Sequence, residues 1–237
     1  MAHRYRFHVP PGQAAIGEFQ LPPEESHHAA RVARLNPGDP VEIFSGDGRT
    51  WPAVVTGVAK KTVTVEAGEP TSDSRSGHPA SLCVGWPNHG TCVEEVLRRA
   101  TEFEAERVVF FKADRSERAP LLKEKFMRIC IESAKQCGTS WLPELETIED
   151  FDALIEHVDG RLLVAHIGDM STPWEEALQG LDRPALVIGP EGGISERELA
   201  VAKRAELATV SLGSRILRTE VAAAVGLTLL QHHLGNL

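Results

Sequence analysis

The sequence predicts an α/β protein whose main part is a largely parallel sheet with interleaved helices, preceded by a small, mainly β region. Three observations carry this. After residue 80, apolar runs at 81–85, 108–111, 162–165, 185–188 and 209–212 alternate with helix-like stretches, the mark of a parallel sheet. Before residue 70 the apolar runs are short, with a single helical stretch among them. Between the two lies 68–79 (GEPTSDSRSGHP), polar and rich in Ser, Gly and Pro, as linkers are. The domains are therefore placed at 1–70 and 80–237, joined by a linker at 71–79.

In the front region, residues 24–35 read as one helix ending before Pro37-Gly38. On it His28, Arg31 and Arg34 are spaced by three and share one face. Residues 41–44, 51–58 and 62–66 are strand candidates, joined by Gly46-Asp47-Gly48 and by Lys60-Lys61. A small barrel with one helix fits this pattern.

The second region ends in two segments of similar build, 186–194 (LVIGPEGGI) and 212–225 (LGSRILRTEVAAAV). In the first, the run 185–188 stops at Gly189, Pro190, Gly192 and Gly193, which leave a loop bare enough to press its backbone against a ligand. Ser195 with Glu198 forms a capping box that signals the next helix. In the second, 210–212 is strand-like, Gly213-Ser214 turns, and Thr219-Glu220 reads as a helix N-cap followed by an acid that suits the helix dipole. That places Arg218 at the mouth of a helix whose span 221–230 is apolar round most of its circumference, suited to a core or a dimer interface. No Lys and Ser or Thr follow Gly193, which excludes a P-loop, and the spacing G-x-x-G-G is not the dinucleotide fingerprint. A turn serving only chain direction explains one such loop alone. Two strand-to-loop transitions near the carboxyl ends of strands mark the usual ligand position of an α/β sheet.

GPEGG followed by S-x-x-E, then LG-x-R-ILR-TE and an alanine-rich helix, resembles the SPOUT class of methyltransferases, most closely the bacterial 16S rRNA uridine-N3 methyltransferase family. The runs RFHV, HHAARVARLNPGD, FSGDG, KKTVTV and ESAKQC extend the resemblance over nearly the whole chain. It implies a trefoil-knotted α/β domain that binds S-adenosylmethionine and works as a homodimer, with a PUA-like RNA-binding β-barrel in front. Matching motif positions carries over Gly189, Glu191, Gly192, Leu212, Gly213, Ile216, Leu217 and Arg218 as cofactor-binding residues, with His166 near the end of its strand as a further candidate. The implied substrate is 16S rRNA within the small ribosomal subunit.

Composition sets the outer bounds. At 42% hydrophobic and 25% charged, the 237 residues can build an ordinary packed core. No apolar run reaches 18 residues and MAHRYRFHVP lacks a signal peptide's apolar stretch, so a cytoplasmic protein without a membrane is expected. Cys83, Cys92, Cys130 and Cys137 show no C-x-x-C spacing and read as reduced core residues. His27-His28 and His232-His233 lack metal-ligand spacing, so no metal is expected, and no G-x-S-x-G elbow marks a serine hydrolase. The net charge of −9 disfavours RNA binding by the chain as a whole. Residues 1–70, however, hold seven Lys or Arg against eight Asp or Glu, a net of −1, which leaves −8 for the rest. Arg4, Arg6, His28, Arg31 and Arg34 are the RNA-binding candidates.

For the implied reaction, uridine N3 carries a proton and is a poor nucleophile until it is lost. A cation near the uracil oxygens stabilises the anion that develops. Arg218 is the candidate for that group and Glu220 for a catalytic partner; Glu191 and His166 share with Glu220 the position of possible base. Three positions depart from the family pattern: Asn88 within Pro87-Asn88-His89 where a lysine is usual, Thr139 where an arginine is usual, and Val221 where a threonine is usual. They leave open a methyltransferase for another RNA and a non-catalytic RNA-binding relative.

Overall fold

The computed structural model describes residues 5–75, 78–158, 162–168, 171–181 and 183–237. The chain divides into two compact units, residues 1–75 with 131–142, and residues 76–130 with 143–237.

In the first unit, strands β1 (Tyr5–His8), β2 (Gly17–Gln20), β3 (Pro40–Phe44), β4 (Arg49–Val58), β5 (Val63–Ala67) and β6 (Thr71–Ser72) form one sheet in the order β1-β3-β4-β5-β2, with β6 paired to β4. Strand β1 runs parallel to β3, and the other pairs are antiparallel. Along β4 buried and exposed residues alternate, so Trp51, Ala53 and Val55 face one core with Phe7, Ile43, Val63 and Val65. Strand β6 lies inside the stretch expected as a linker.

The expected helix over 24–35 is shorter and irregular. Helix α1 (Pro23–His27) passes into a π-helical turn over His28–Val32, where the Ala33 amide reaches back to the His28 carbonyl at 2.9 Å. Arg34 then takes a left-handed φ of 55°. His28, Arg31 and Arg34 therefore do not share a regular helical face, which corrects the spacing argument.

Residues 131–142 join the first unit, not the second, because buried polar groups tie them there. The Arg6 guanidinium, only 8% exposed, pairs with Glu42 at 2.6 Å and donates to the carbonyls of Ala134 and Thr139 and to the Ser140 hydroxyl. Its ring-facing side lies 4.7 Å from the centre of Phe44. Lys135 binds Glu25, with both side chains about 10% exposed or less. A Cβ at Gly48 would lie 2.6 Å or less from the Trp141 indole, so that ring packs on bare backbone.

In the second unit the elements follow as β7 (Ser81–Gly85), α2 (Gly90–Glu102), β8 (Arg107–Phe111), α3 (Glu124–Cys137), β9 (Glu144–Ile148), α4 (Phe151–His157), β10 (Leu162–Ala165), α5 (Trp174–Ala177), β11 (Ala185–Ile188), α6 (Glu196–Arg204), β12 (Ala208–Val210) and α7 (Thr219–His233). The last seven residues of α3 belong to the first unit. The strands form one sheet in the order β12-β10-β11-β7-β8-β9, parallel at every pairing. Strands β7 and β11 are buried along their whole length, as central strands covered on both faces are. Chain order runs outward from β7 to β8 and β9 on one side, and β11, β10 and β12 fill the other. The switch point thus falls between β7 and β11, and ligands of open α/β sheets sit at the carboxyl ends of strands there.

Strand β12 ends at Val210, two residues short of expectation, because the Ser211 carbonyl accepts from the Trp174 indole and its hydroxyl accepts from the Gly213 amide. The N-cap of α7 is Arg218 in extended backbone, not Thr219, whose hydroxyl instead donates to the Gly189 carbonyl at 3.3 Å. Helix α7 lies on the sheet through Gly226, where a Cβ would approach Leu186 to 2.4 Å.

At the switch point Gly85 closes β7 against Pro190: an added Cβ would stand 2.5 Å from the proline Cδ and 3.0 Å from its nitrogen. Backbone cannot yield as a flexible side chain does. Gly85→Ala is expected to cost about 1–3 kcal/mol through this overlap, lowering the thermal midpoint by roughly 2–4 °C for each kcal/mol in a chain of this size. Differential scanning calorimetry checks it.

Candidate functional site

The loop after β11 turns tightly, with the Gly193 amide donating to the Pro190 carbonyl at 2.7 Å and Gly193 at a φ of 73°. At Gly189 a Cβ would lie 2.7 Å from the Gly193 carbonyl carbon, and at Gly192 it would lie 3.0 Å from Arg115 Cβ. Only glycine closes this loop on itself. Arg115 braces it from outside, Nη1 donating to the Gly192 carbonyl at 2.6 Å.

The loop's exit is fixed by the capping box read from the sequence. The Ser195 hydroxyl accepts from the Glu198 amide at 3.1 Å, and the Glu198 carboxylate accepts from the Ser195 amide at 2.7 Å. Glu198 is fully buried and also accepts from the Asp114 amide at 3.0 Å, tying α6 to the end of β8. Ser195 Oγ donates to Asp114 at 2.5 Å, and the Arg197 guanidinium grips the same carboxylate, holding its pKa below the usual value.

The second loop, residues 211–218, stands opposite the first across a cavity of about 330 Å³. That volume lies within the range of small-molecule sites. Its wall brings together His166, Gly189, Glu191, Gly192, Leu212, Ile216 and Leu217 from the expected set. Gly213, at a φ of 113°, shapes the turn but does not line the cavity. His166 is placed by its amide, which donates to the Val210 carbonyl at 3.0 Å and so extends β10 along β12. The wall also includes Arg115, Ile188, Ile194, Arg215 and Ala222, none of which the sequence singled out, and Thr219, which it marked only as a helix cap. Ile188 and Ile194 flank the glycine loop and were readable as its neighbours; Arg115 comes from the turn after β8, and no local signal marks it.

Arg218 and Glu220 face a second, adjoining cavity of about 540 Å³, which shares Glu191, Ile216 and Leu217 with the first and adds His89, Thr91 and Cys92. No ion pair to Arg218 is found among the described residues. Glu191 accepts from the Asn88 amide at 3.1 Å through both carboxylate oxygens, so the departure at Asn88 lies against the glycine loop. Glu220 accepts from the Cys92 thiol at 3.3 Å. Burial first, and the Glu220 carboxylate next, push that thiol up to about 12, so Cys92 is a hydrogen-bond donor and not a nucleophile. Ile216, at the rim of both cavities, is 91% exposed, and Val221 is exposed as well.

The RNA-binding candidates of the first unit separate. Arg4 lies outside the described residues. Arg6 is corrected: its buried guanidinium gives four of its five N–H donors to Glu42 and to three partners from residues 134–140, which makes it a structural cation and not a surface for a phosphate. His28 is half-buried, its Nδ1 is 3.0 Å from Lys135 Nζ, and burial followed by the Lys135 charge lowers its pKa, so it carries little charge to offer. Arg31 and Arg34 are exposed. Thr139 is buried, its carbonyl accepting from Arg6 and its hydroxyl from the Trp141 amide. No described helix is long and apolar enough to cross a membrane, and no described group of His, Cys, Asp or Glu could hold a metal ion.

The geometry can be set beside known proteins. Residues 75–231 match the model of an RNA methyltransferase domain, and residues 21–67 that of an RNA methyltransferase PUA domain. The ribosomal RNA small subunit methyltransferase E of Synechocystis sp. is 30% identical over 232 residues, 94% of this chain and 76% of that protein. The protein of the same name from Bacillus subtilis is 28% identical over 90% of each chain. A Legionella pneumophila methyltransferase solved in complex with bound SAM is similar over 97% of both chains, with a TM-score of 0.87 and 28% identity.

The state of Cys92 is open to direct measurement. With thiols pushed up to about 12 at Cys83 and Cys92 and about 11 at Cys130 by burial, a thiol at about 12 is ionised at pH 8 to only about one part in ten thousand. Iodoacetamide at that pH is expected to alkylate exposed Cys137 well before the other three, as read by peptide mass spectrometry.

Proposed function

The chain belongs to the RNA methyltransferase family, with an N-terminal PUA domain and a SPOUT-type α/β domain, and we propose that it methylates N3 of a uridine in 16S rRNA with S-adenosylmethionine. The acceptor is read as the small ribosomal subunit, and the working form as a cytoplasmic homodimer. The observation that carries the reading is the cavity between two loops that follow the carboxyl ends of β11 and β12, with His166 at the end of β10 beside them. The names of the relatives and the cofactor in the Legionella protein point the same way.

The residues present fit that cofactor. Gly189 and Gly192 leave backbone exposed where a Cβ has no room, and Ile188, Leu212, Ile216 and Leu217 supply apolar walls for a purine ring. His166 and Glu191 bring polar groups to the same wall. When bound, S-adenosylmethionine supplies a methyl group already activated by its positively charged sulfur.

The adjoining cavity suits the acceptor base. A uracil edge presents two carbonyl oxygens flanking the N3 proton. Arg218 offers donors to an oxygen, so the negative charge left as the proton departs is met by a fixed cation. Glu220 offers a carboxylate oriented by the Cys92 thiol, and it is assigned as the group that receives or positions the proton. The two loops meeting at Glu191, Ile216 and Leu217 set cofactor and base side by side, where alignment contributes through proximity. RNA contacts from the first unit are assigned to Arg31 and Arg34, which are exposed.

The test is incubation of the protein with labelled S-adenosylmethionine and small subunits that lack the modification, followed by digestion of the rRNA. Labelled 3-methyluridine is the expected product; cofactor binding without transfer points to another RNA, and neither binding nor transfer to a non-catalytic relative. Arg218→Ala is expected to lower kcat by about 10²–10³, the loss typical of one transition-state donor, while cofactor affinity stays within a few-fold.

A further inference from the structure

We propose that Trp174 is a positioning residue for the second cofactor loop, fixing its entry through a hydrogen bond to the Ser211 carbonyl. The inference rests on the reading of residues 211–218 as part of the cofactor site. The Trp174 indole Nε1 donates to the Ser211 carbonyl at 3.1 Å, and the Thr172 amide donates to the Thr209 carbonyl at 2.7 Å. Residues 172–174 thus run beside β12 and continue past its end, holding the backbone where the strand stops.

The indole is itself held in place. Its ring lies parallel to the His233 imidazole, with centroids 5.8 Å apart and planes 7° from coplanar, against the last turn of α7. His233 Nδ1 is 3.6 Å from the Glu175 carboxylate, next to Trp174 on α5. Pro173, preceding α5, has φ −55° and ψ 143°, which sets the direction in which the short helix begins. The donor is therefore preorganised by stacking, by an ion-pair partner when His233 is protonated, and by backbone.

Among the described residues the loop has few other restraints. Residues 213–216 are exposed, and the Gly213 amide bonds only locally, to Ser211 Oγ at 3.1 Å. The far end is fixed by Thr219, whose hydroxyl reaches the Gly189 carbonyl. Leu212, Ile216 and Leu217, which line the cavity, hang between these two anchors. Removing the first lets the wall drift while the glycine loop keeps its own bracing from Arg115 and Glu198.

The test compares wild type with Trp174→Phe, which keeps an aromatic ring against His233 and lacks the N–H. Limited trypsin digestion reads the loop itself, since Arg215 and Arg218 are exposed cleavage points within it. Isothermal titration with S-adenosylmethionine and separate KM values for cofactor and RNA read the consequence. The variant is expected to be cut faster after Arg215, and to bind the cofactor about five- to ten-fold more weakly, the effect of one lost hydrogen bond. The RNA KM and the thermal midpoint should barely move. Should the phenylalanine variant fail to fold, a benzothienylalanine at position 174, isosteric with tryptophan but without the N–H, is used instead. Unchanged cleavage, or faster cleavage with unchanged cofactor affinity, overturns the proposal, as does a parallel rise of both KM values with a fall in stability. A wild-type protein that binds no S-adenosylmethionine overturns the cofactor reading instead, and the digestion still reports on the anchor.

Discussion

The second unit depends on how closely backbone approaches backbone at the switch point of its sheet. Gly85, Gly189, Gly192 and Gly226 each stand where a Cβ would come within 3.0 Å or less of another atom. Together they let β7 close on Pro190, the loop 189–193 close on itself, and α7 settle onto Leu186. A cleft bounded by main chain on one side and aliphatic side chains on the other follows from that crowding. The hydrogen bond from Thr219 to Gly189 then joins the two loops into one wall. Glu198 serves the same geometry from below, a buried carboxylate satisfied by two backbone amides, so helix α6 starts where the loop must end.

Much of this could be read from residue patterns because it is local. Strands β7, β10 and β11 lie where the apolar runs fall, and the Ser195 capping box needs only four residues to declare itself. What escaped is non-local. Strand β9 carries two glutamates at the sheet's edge and shows no apolar run. The Arg115 brace and the Trp174 anchor depend on residues 77 and 37 positions away in sequence. The N-cap shift at α7 has a similar cause, since Thr219 prefers a tertiary acceptor to the local capping role its type suggests.

Charge was the least legible property. Arginines near the N-terminus look like phosphate ligands in a list of residues, yet Arg6 is a structural cation that ties residues 134–140 to the front sheet. Burial with satisfied hydrogen bonds, which only three dimensions reveal, separates it from Arg31 and Arg34. The spacing of three among His28, Arg31 and Arg34 misled for a related reason: the π-helical turn and the left-handed Arg34 break the periodicity on which a shared face relies. At the cleft the reverse holds, because Arg218 has no ion-pair partner among the described residues and lies beside Glu220 and the shared wall.

The central claim is that one cleft, bounded by residues 189–193 and 211–218, holds S-adenosylmethionine. Hydrogen–deuterium exchange of the protein with and without S-adenosylmethionine tests it most directly. The account predicts slowed exchange at the amides of both loops and of His166, with the strands of the first unit unchanged; protection confined to another region, or at one loop alone, would contradict it.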